Sequence, residues 1–237
     1  MSSVIDLCRI LHMQILPAPL NKRIEEFMPQ YQSLRKYFEY FQIDIADGVF
    51  VPNTTITLHD IKGLINSDPS LFQGVTFDFH LMVKDYKKYI DEVLSIKDLI
   101  HIKNIFVHFG ALHNDPLLSL PDNISLGLVL NPEDSVEVVT KIYQLNDFSA
   151  IQIMTVTPGF QGNSFKPEQL RKIKELRERG YTGTVFIDGS VNERTIPEIL
   201  AQEYLPDYAG VGSYLTKAPA TEIPQRVEIL NHLLQTK

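Results

Sequence analysis

The sequence has little positive charge, and this scarcity limits the partners that the chain can take. Its 22 lysine and arginine residues are outnumbered by 29 aspartates and glutamates, which gives a formal net charge of −7. An acidic chain without a run of basic residues argues against nucleic acid or an anionic membrane surface as the main partner. A small phosphorylated ligand remains compatible, because backbone N–H groups bind phosphate without a basic surface.

Cysteine and long hydrophobic runs are also scarce. Cys8 is the only cysteine, so no internal disulfide can form, and the N-terminus shows no signal-peptide pattern. We therefore expect a reducing, cytoplasmic setting with Cys8 as a small packing residue. No apolar run approaches the ~20 residues that a membrane-spanning helix needs. The composition, 44% hydrophobic and 22% charged, is ordinary for a globular protein, and we expect a single domain over residues 1–237.

Short apolar or alternating runs recur along the chain, with helix-like segments between them. Strands alternating with helices indicate a parallel sheet, and eight such units in this length indicate a (β/α)8 TIM barrel, with an open doubly wound sheet as the alternative. The strand predictions are residues 13–17, 40–46, 75–83, 104–109, 124–131, 150–157, 184–190 and 208–215. The helix predictions are residues 22–37, 56–66, 85–97, 135–145, 166–179, 192–201 and 221–235, with a weaker one at 112–120.

The stretch FQIDIADGVFVPN, residues 41–53, places a carboxylate inside an otherwise apolar strand. Side chains alternate along a strand, so Asp44 shares its face with Gln42, close to the C-terminal end. A buried carboxylate is costly unless it is paired, hydrogen-bonded or bound to a metal. Barrels of this kind carry their active sites at the C-terminal ends of the strands, which makes Asp44 a candidate site residue.

Two further strands supply candidate partners for Asp44. The run VTFDFHLMV turns His80 and Met82 inward, and the run TVFIDGS ends in Asp188. Taken alone, His80 could be a core histidine and Asp188 a turn residue. The second and seventh strands lie on roughly opposite sides of an eight-stranded barrel, however. One carboxylate could then take a proton from one face of a carbon while the other delivers a proton to the opposite face. A histidine between them suggests a divalent metal as well.

Three loops rich in small residues follow the last three strands. The sixth strand runs into MTVTPGFQGNSF, residues 154–165, the seventh into Gly189-Ser190, and the eighth into Gly212-Ser213. Each could be an ordinary tight turn. Barrels often bind phosphate at the loops after strands seven and eight, so their position on adjacent strands favours a phosphate site.

Together these residues resemble the ribulose-phosphate 3-epimerase family, whose members are (β/α)8 barrels. The resemblance covers roughly residues 10 to 215. Some features, notably YFQID, DGVFVPN and IDGS, also resemble the allulose-6-phosphate 3-epimerase branch. The motifs that carry the resemblance are DIADGVFVPN at 44–53, DFHLMV at 78–83, GLVLNP at 127–132, MTVTPGFQG at 154–162, IDGS at 187–190 and GVGS at 210–213.

The resemblance implies a metal-dependent sugar-phosphate 3-epimerase that interconverts D-ribulose 5-phosphate and D-xylulose 5-phosphate, or a related ketose phosphate, through a 2,3-enediolate. It implies Asp44 and Asp188 as the acid/base pair, and one zinc, manganese or iron ion held by Asp44, His80 and Asp188, with Gln42 in the fourth ligand position. A homodimer or larger assembly is also implied. The implied substrate-binding residues are His80, Met82, Met154, Gly159, Phe160, Gln161, Gly162, Gly189, Ser190, Gly212 and Ser213.

The chain departs from the family pattern at several of these places. Gln42 replaces a histidine, Ala46 a methionine and Gln161 a glycine, while Pro17 and Pro19 replace a serine and an aspartate. These changes leave two alternatives open, an allulose-6-phosphate 3-epimerase and a non-catalytic sugar-phosphate-binding paralogue. His108 lies on the inward phase of the fourth strand and could approach the substrate. The remaining histidines, read as surface or turn residues, are His12, His59, His101, His113 and His232.

Overall fold

The computed structural model describes residues 13–235, in which eight parallel strands alternate with helices. The predictions for Cys8 and His12 lie outside the described residues. The strands are β1 (Gln14–Pro17), β2 (Tyr40–Ala46), β3 (Thr76–Met82), β4 (His101–His108), β5 (Ser125–Leu130), β6 (Ala150–Met154), β7 (Thr184–Asp188) and β8 (Tyr208–Val211). The helices are α1 (Ile24–Leu34), α2 (Leu58–Ser67), α3 (Tyr86–Leu94), α4 (Phe109–Leu112), α5 (Val136–Thr140), α6 (Arg171–Glu178), α7 (Ile196–Leu200), α8 (Ser213–Thr216) and α9 (Ile223–Gln235).

The strands form one parallel sheet in the order β1-β8-β7-β6-β5-β4-β3-β2. β1 and β2, the two ends of this order, lie beside each other, so the sheet closes almost completely on itself. The predicted (β/α)8 TIM barrel is therefore confirmed. Within residues 13–235, no helix is both long and apolar enough to span a lipid bilayer.

The predicted two-residue alternation determines which side chains enter the barrel. In β2, the side chains of Phe41, Ile43 and Ile45 belong to the apolar layer between the sheet and the helices. Gln42 and Asp44 are buried on the other face, inside the barrel. β2 and β3 pair with Asp44 opposite His80, so two predicted site residues are neighbours across the strands.

Helix boundaries follow local signals that the sequence contains. Asp85 accepts a hydrogen bond from the N–H of Lys88 and caps α3, which satisfies a donor that the first helical turn leaves free. Pro167 begins a 3-10 turn that leads into α6, and Gly180 follows the helix with a φ of 81°. A positive φ is easy for glycine, and here it ends the helix as the sequence predicts.

Several predicted elements differ in extent from the structure, among them the helix predicted at 192–201, which forms only as α7, and the strand predicted at 150–157, which ends at Met154. The strand predicted at 208–215 ends at Val211, because the chain turns at Gly212 and residues 213–216 form α8. The weak helix prediction at 112–120 is wrong, since His113 and Asn114 have left-handed backbone angles just after the single turn α4. The helix predicted at 135–145 forms only as α5, followed by a separate 3-10 turn at Leu145–Asp147.

The end of the barrel opposite the predicted site is closed by an aromatic and polar cluster around Asp78. Asp78 is completely buried. Its carboxylate accepts hydrogen bonds from the Tyr40 hydroxyl at 2.6 Å and from the backbone and side-chain N–H groups of Asn104, both at 2.9 Å. Nearby, Tyr208 stacks on Phe186 with ring centroids 4.7 Å apart. These contacts satisfy the buried carboxylate without a cation.

We expect Asp78 to make the stability of the barrel depend on pH. Burial is the main influence on the Asp78 carboxyl and raises its pKa to about 7, against ~3.9 in an unfolded chain. Between these values the folded state holds a proton that the unfolded chain has released. The free energy of unfolding should therefore fall as pH rises, by about 1.4 kcal/mol per pH unit.

The wild type is compared with the variant Asp78→Asn, which lacks the titratable carboxyl. Urea unfolding between about pH 5 and about pH 8 gives the free energy of unfolding of both proteins. The free energy of unfolding of the wild type minus that of the variant should fall as pH rises and should level off above the Asp78 pKa. A difference that stays constant over this range would contradict the raised pKa.

Candidate functional site

Asp44, His80 and Asp188 meet at the carboxyl ends of β2, β3 and β7. His80 Nδ1 lies 3.0 Å from Asp44 Oδ1 and 3.5 Å from Asp188 Oδ2. One ligand atom from each of the three residues falls within 4.8 Å of the others. The strand periodicity predicts that these three side chains point into the barrel near one another, and in the structure they do meet.

Gln42 lies between the two carboxylates. Its amide nitrogen donates to Asp188 Oδ2 at 2.7 Å and to Asp44 Oδ1 at 3.0 Å, and both contacts are buried. This orientation suits two anionic acceptors, since the amide oxygen in the same place would face two other oxygens. The predicted role of Gln42 as a metal ligand requires the opposite orientation of the amide, with the oxygen turned inward.

His80 also has a partner on its other ring nitrogen. His80 Nε2 lies 2.8 Å from His108 Nε2, and His108 Nδ1 lies 2.8 Å from Asn131 Oδ1. Both imidazoles are completely buried. His108 thus faces inward as its strand phase predicts, where it contacts His80. Asn131 is a residue that the sequence reasoning missed, although the motif GLVLNP contains it.

Gln152 is a second missed residue, on the inner face of β6. Its amide nitrogen donates to Asp188 Oδ2 at 3.2 Å and lies 3.7 Å from the sulfur of Met154. Its amide oxygen is buried and has no hydrogen-bond partner among residues 13–235. The available signal was the two-residue alternation in AIQIM, which puts Gln152 on the same face as Met154.

The closeness of these groups changes their affinity for protons. Burial raises the pKa of Asp44, and the hydrogen bond and charge of His80 only partly oppose this effect. Burial lowers the pKa of His80, but hydrogen bonds and charge interactions with Asp188 and Asp44 outweigh it and raise the pKa to about 9. Burial and the neighbouring His80 charge hold the pKa of His108 well below its usual value. A protonated His80 beside a neutral His108 is therefore the favoured state of the protein without a metal.

A small pocket opens at this group. Asp44, His80 and Asp188 form its floor, while Gln42 lies outside its lining. All the remaining predicted substrate-binding residues line the same pocket, namely Met82, Met154, Gly159, Phe160, Gln161, Gly162, Gly189, Ser190, Gly212 and Ser213. The residues that the motifs single out thus surround one small cavity.

The loops around the pocket are held by hydrogen bonds between distant segments. The amide nitrogen of Asn53 donates to the carbonyl of Gly159 at 2.6 Å, which joins the loop after β2 to the loop after β6. The hydroxyl of Ser190 donates to the carbonyl of Asn163. Gly159, Gly162 and Gly189 have φ values of 110°, 95° and 124°, a region that glycine enters at little cost.

Ser190 adopts a φ of 54° without being a glycine. Its carbonyl accepts hydrogen bonds from the side chains of Asn192 at 2.7 Å and Thr195 at 2.9 Å. These bonds offset the cost of a left-handed backbone at a residue with a Cβ. The loop after β7 is therefore fixed in shape on the side that faces the pocket.

The side chains at the floor of the pocket form a suitable set of ligands for a divalent cation. Two carboxylate oxygens and one imidazole nitrogen converge there, and such mixed oxygen and nitrogen ligation suits manganese, iron and zinc without selecting one of them. Two buried negative charges close together also favour a cation on electrostatic grounds.

The sequence matches proteins of known function along most of its length. The model described as the ribulose-phosphate 3 epimerase family matches residues 10–211. A ribulose-phosphate 3-epimerase from Bacillus subtilis is 32% identical over 166 residues, which cover 67% of this chain and 71% of that protein. The enzyme of that name from Helicobacter pylori is 27% identical over 213 residues, covering 87% of this chain and 92% of that protein. The relative from Methanocaldococcus jannaschii is 29% identical, and the match spans 65% of its length.

Solved structures agree on the fold. A thiamine phosphate pyrophosphorylase from Pyrococcus furiosus matches with a TM-score of 0.57 at 14% identity, covering 94% of this chain and 96% of that chain. A tryptophan synthase complex from the same organism matches with a TM-score of 0.58 at 13% identity, covering 93% and 98%. At such low identity these matches concern the barrel alone.

We expect His80 to stay protonated to about pH 9 in protein freed of metal by a chelator. The unfolded chain loses this proton near pH ~6.5. The stabilisation from the charged His80 should therefore be complete below that pH and disappear as pH rises through the folded pKa. Titration of the histidine ring signals by NMR measures the midpoint directly. Asp44→Asn should lower it, and a wild-type midpoint at or below ~6.5 would contradict the ion pairs.

Proposed function

This chain belongs to the ribulose-phosphate 3-epimerase family, which belongs to the isomerase class of enzymes, and we propose that it inverts C3 of a 2-ketose phosphate. D-ribulose 5-phosphate and D-xylulose 5-phosphate are the first pair of substrates to test. The observation that carries the proposal is that two carboxylates, Asp44 and Asp188, share the floor of one small pocket.

The two aspartates supply the proton transfers. One carboxylate removes the proton at C3, which is acidic because it lies next to the C2 carbonyl. The electron pair left at C3 is shared with the carbonyl, and the substrate becomes a 2,3-enediolate. The other aspartate returns a proton to the opposite face of C3, so its configuration is inverted and the number of protons is unchanged. The two aspartates exchange roles when the reaction runs in the other direction.

The surroundings of the pair suit this exchange. Burial raises the pKa of Asp44 and makes this carboxyl easier to protonate, which suits a group that must both take and release a proton. Amide nitrogens of Gln42 and Gln152 donate to Asp188 Oδ2, so this oxygen keeps a fixed position. The buried side chains of Met82 and Met154 line the pocket and would shield the reacting carbon from water.

We also propose that Asp44, His80 and Asp188 hold one divalent cation, with the Gln42 amide oxygen as a fourth ligand once the amide has turned. A cation held there would withdraw electrons from the substrate carbonyl and make the C3 proton easier to remove. Without a cation, Gln42 and the protonated His80 bridge the two carboxylates and offset the repulsion between them.

The phosphate group would bind at the loops after β6, β7 and β8. Gly159, Gly162, Gly189 and Ser190 all have positive φ values, so these loops turn tightly beside the pocket, and their backbone N–H groups would supply the hydrogen bonds to the phosphate. Gly212 and Ser213 line the same pocket. A backbone site of this kind needs no basic side chain, in agreement with the acidic composition.

The second candidate is a non-catalytic sugar-phosphate-binding protein, and the orientation of Gln42 is the observation in its favour. Its amide nitrogen already bridges the two carboxylates, so the site is electrostatically satisfied without a metal. Epimerisation assays with ribulose 5-phosphate and allulose 6-phosphate separate the candidates. Binding of a sugar phosphate without turnover of either compound would favour the binding protein.

We expect Asp44→Asn and Asp188→Asn each to abolish epimerisation at C3, because one face of the carbon then lacks its proton donor or acceptor. An amide cannot accept the proton, and loss of a general base typically costs at least about 10²- to 10⁴-fold in rate. The measurement is the conversion of each epimer into the other in heavy water, followed by NMR, which also reports deuterium incorporation at C3 for each epimer separately. Asp78→Asn is the matched control, since it removes a buried carboxylate at the other end of the same barrel and should leave exchange intact. Exchange confined to one epimer would agree with a remaining single base, whereas epimerisation that persisted in either active-site variant would refute the two-carboxylate mechanism.

We expect chelation to remove both a bound divalent metal and the activity. Metal content of the purified protein, measured by mass spectrometry before and after dialysis against a chelator, should fall from about one ion per chain. Adding back manganese, zinc or ferrous ion should restore turnover. Full activity in metal-free protein would contradict the cation but leave the two-aspartate proton transfer standing.

A further inference from the structure

A line of hydrogen-bonded side chains runs from the end of β5 to the two aspartates. Asn131 Oδ1 lies 2.8 Å from His108 Nδ1, His108 Nε2 lies 2.8 Å from His80 Nε2, and His80 Nδ1 lies 3.0 Å from Asp44 Oδ1. The two histidines are completely buried and Asn131 is 5% exposed. Each histidine thus uses both of its ring nitrogens within the line.

The amide oxygen at the outer end determines where the protons lie. An amide oxygen can only accept a hydrogen bond, so His108 carries its proton on Nδ1. A neutral imidazole has one N–H, which makes His108 Nε2 an acceptor. The proton between the two Nε2 atoms must therefore belong to His80. With Nε2 protonated, Nδ1 is the His80 nitrogen that can release its proton and offer a lone pair to a cation held by Asp44 and Asp188.

If the hydrogen bonds along the line ran in the opposite direction, His80 Nδ1 could not bind a cation. His108 would then donate from Nε2, His80 would carry its proton on Nδ1, and that proton would point at Asp44. The orientation of one asparagine amide thus decides between a His80 that can bind a metal and one that cannot.

We propose that His108 and Asn131 are positioning residues that hold His80 in the tautomer protonated on Nε2, so that Nδ1 is available to a divalent cation shared with Asp44 and Asp188. The inference rests on the proposed function, because the cation is part of it. Neither residue touches the substrate in this role. Both act through His80.

The outer end of the line is held in place from outside the barrel. Lys172 of α6 is buried, and its Nζ donates to the carbonyls of Asn131 at 2.6 Å and Pro132 at 3.2 Å. The backbone N–H of Asn131 donates to Asp134 Oδ2 at 2.7 Å. The peptide groups on both sides of the Asn131 side chain are therefore fixed, which limits the positions that its amide can take.

The test compares variants that break the line with variants that keep it. His108→Leu and Asn131→Leu remove the acceptors. In His108→Gln, the amide oxygen can accept from His80 while its nitrogen donates to Asn131. Zinc affinity, measured by competition with a chromophoric chelator, should fall by about 10- to 100-fold in each leucine variant. It should be largely retained in His108→Gln.

The ring protons give a readout that is independent of activity and of any variant. In wild-type protein loaded with zinc, ¹⁵N NMR should show His80 protonated on Nε2 and His108 protonated on Nδ1. His108 should keep this tautomer in the metal-free protein. A His108 ring protonated on Nε2 in the wild type would overturn the proposal.

A control variant separates positioning from general loosening of the barrel. Val129 is completely buried and pairs with His108 across β4 and β5, so Val129→Ala removes volume beside the line without removing a hydrogen bond. Its zinc affinity should match that of the wild type. Wild-type zinc affinity in both leucine variants would refute the positioning role and leave the proposed function intact. Failure of the wild type itself to bind zinc, manganese or ferrous ion would refute the proposed cation, and the positioning role with it.

Discussion

The arrangement at the mouth of the barrel depends on how the repulsion between two buried carboxylates is compensated. Asp44 and Asp188 approach the same two groups, the Gln42 amide nitrogen and His80 Nδ1. An uncompensated buried charge costs several kcal/mol in a protein, on the order of its full desolvation penalty. A neutral amide and a protonated imidazole supply one form of compensation. A divalent cation between the same oxygens would supply another, with the imidazole then acting as a ligand.

The barrel fixes the positions of these groups because their residues belong to strands and not to loops. Asp44 and His80 are register partners, and Met154 is paired with Asp188 on the other side. Displacing one strand by a single residue would turn its site residue to the outer, apolar face. The Asp78 cluster at the opposite end contributes to the same register, since it joins β2, β3 and β4 through Tyr40 and Asn104.

The parts of the site that could be predicted from the sequence are those that strand periodicity determines. In a closed barrel each strand has one inner face, so an inward carboxylate or histidine near the end of a strand can reach only the central pocket. Asp44, His80 and Asp188 follow from this rule. Asn131 does not, because an asparagine before a proline is also an ordinary turn signal.

Other features depend on contacts between distant segments, which local patterns do not encode. The bond from Asn53 to Gly159 joins residues 106 positions apart. The predicted end of β8 is wrong for a different reason. The apolar and small residues of 208–215 continue through the turn at Gly212, so hydrophobicity does not distinguish the strand from the short helix α8.

Lys172 connects the site to the outer layer of helices. It belongs to a helix that packs against the outside of the sheet, yet its amine is hydrogen-bonded to the peptide carbonyls at the end of β5. Lys172 therefore does not behave as an ordinary surface lysine, which could be exchanged for arginine or glutamine with little effect. Its replacement would leave the buried carbonyl of Asn131 and the partly buried carbonyl of Pro132 without this donor. It would also loosen a peptide that is two side chains away from His80.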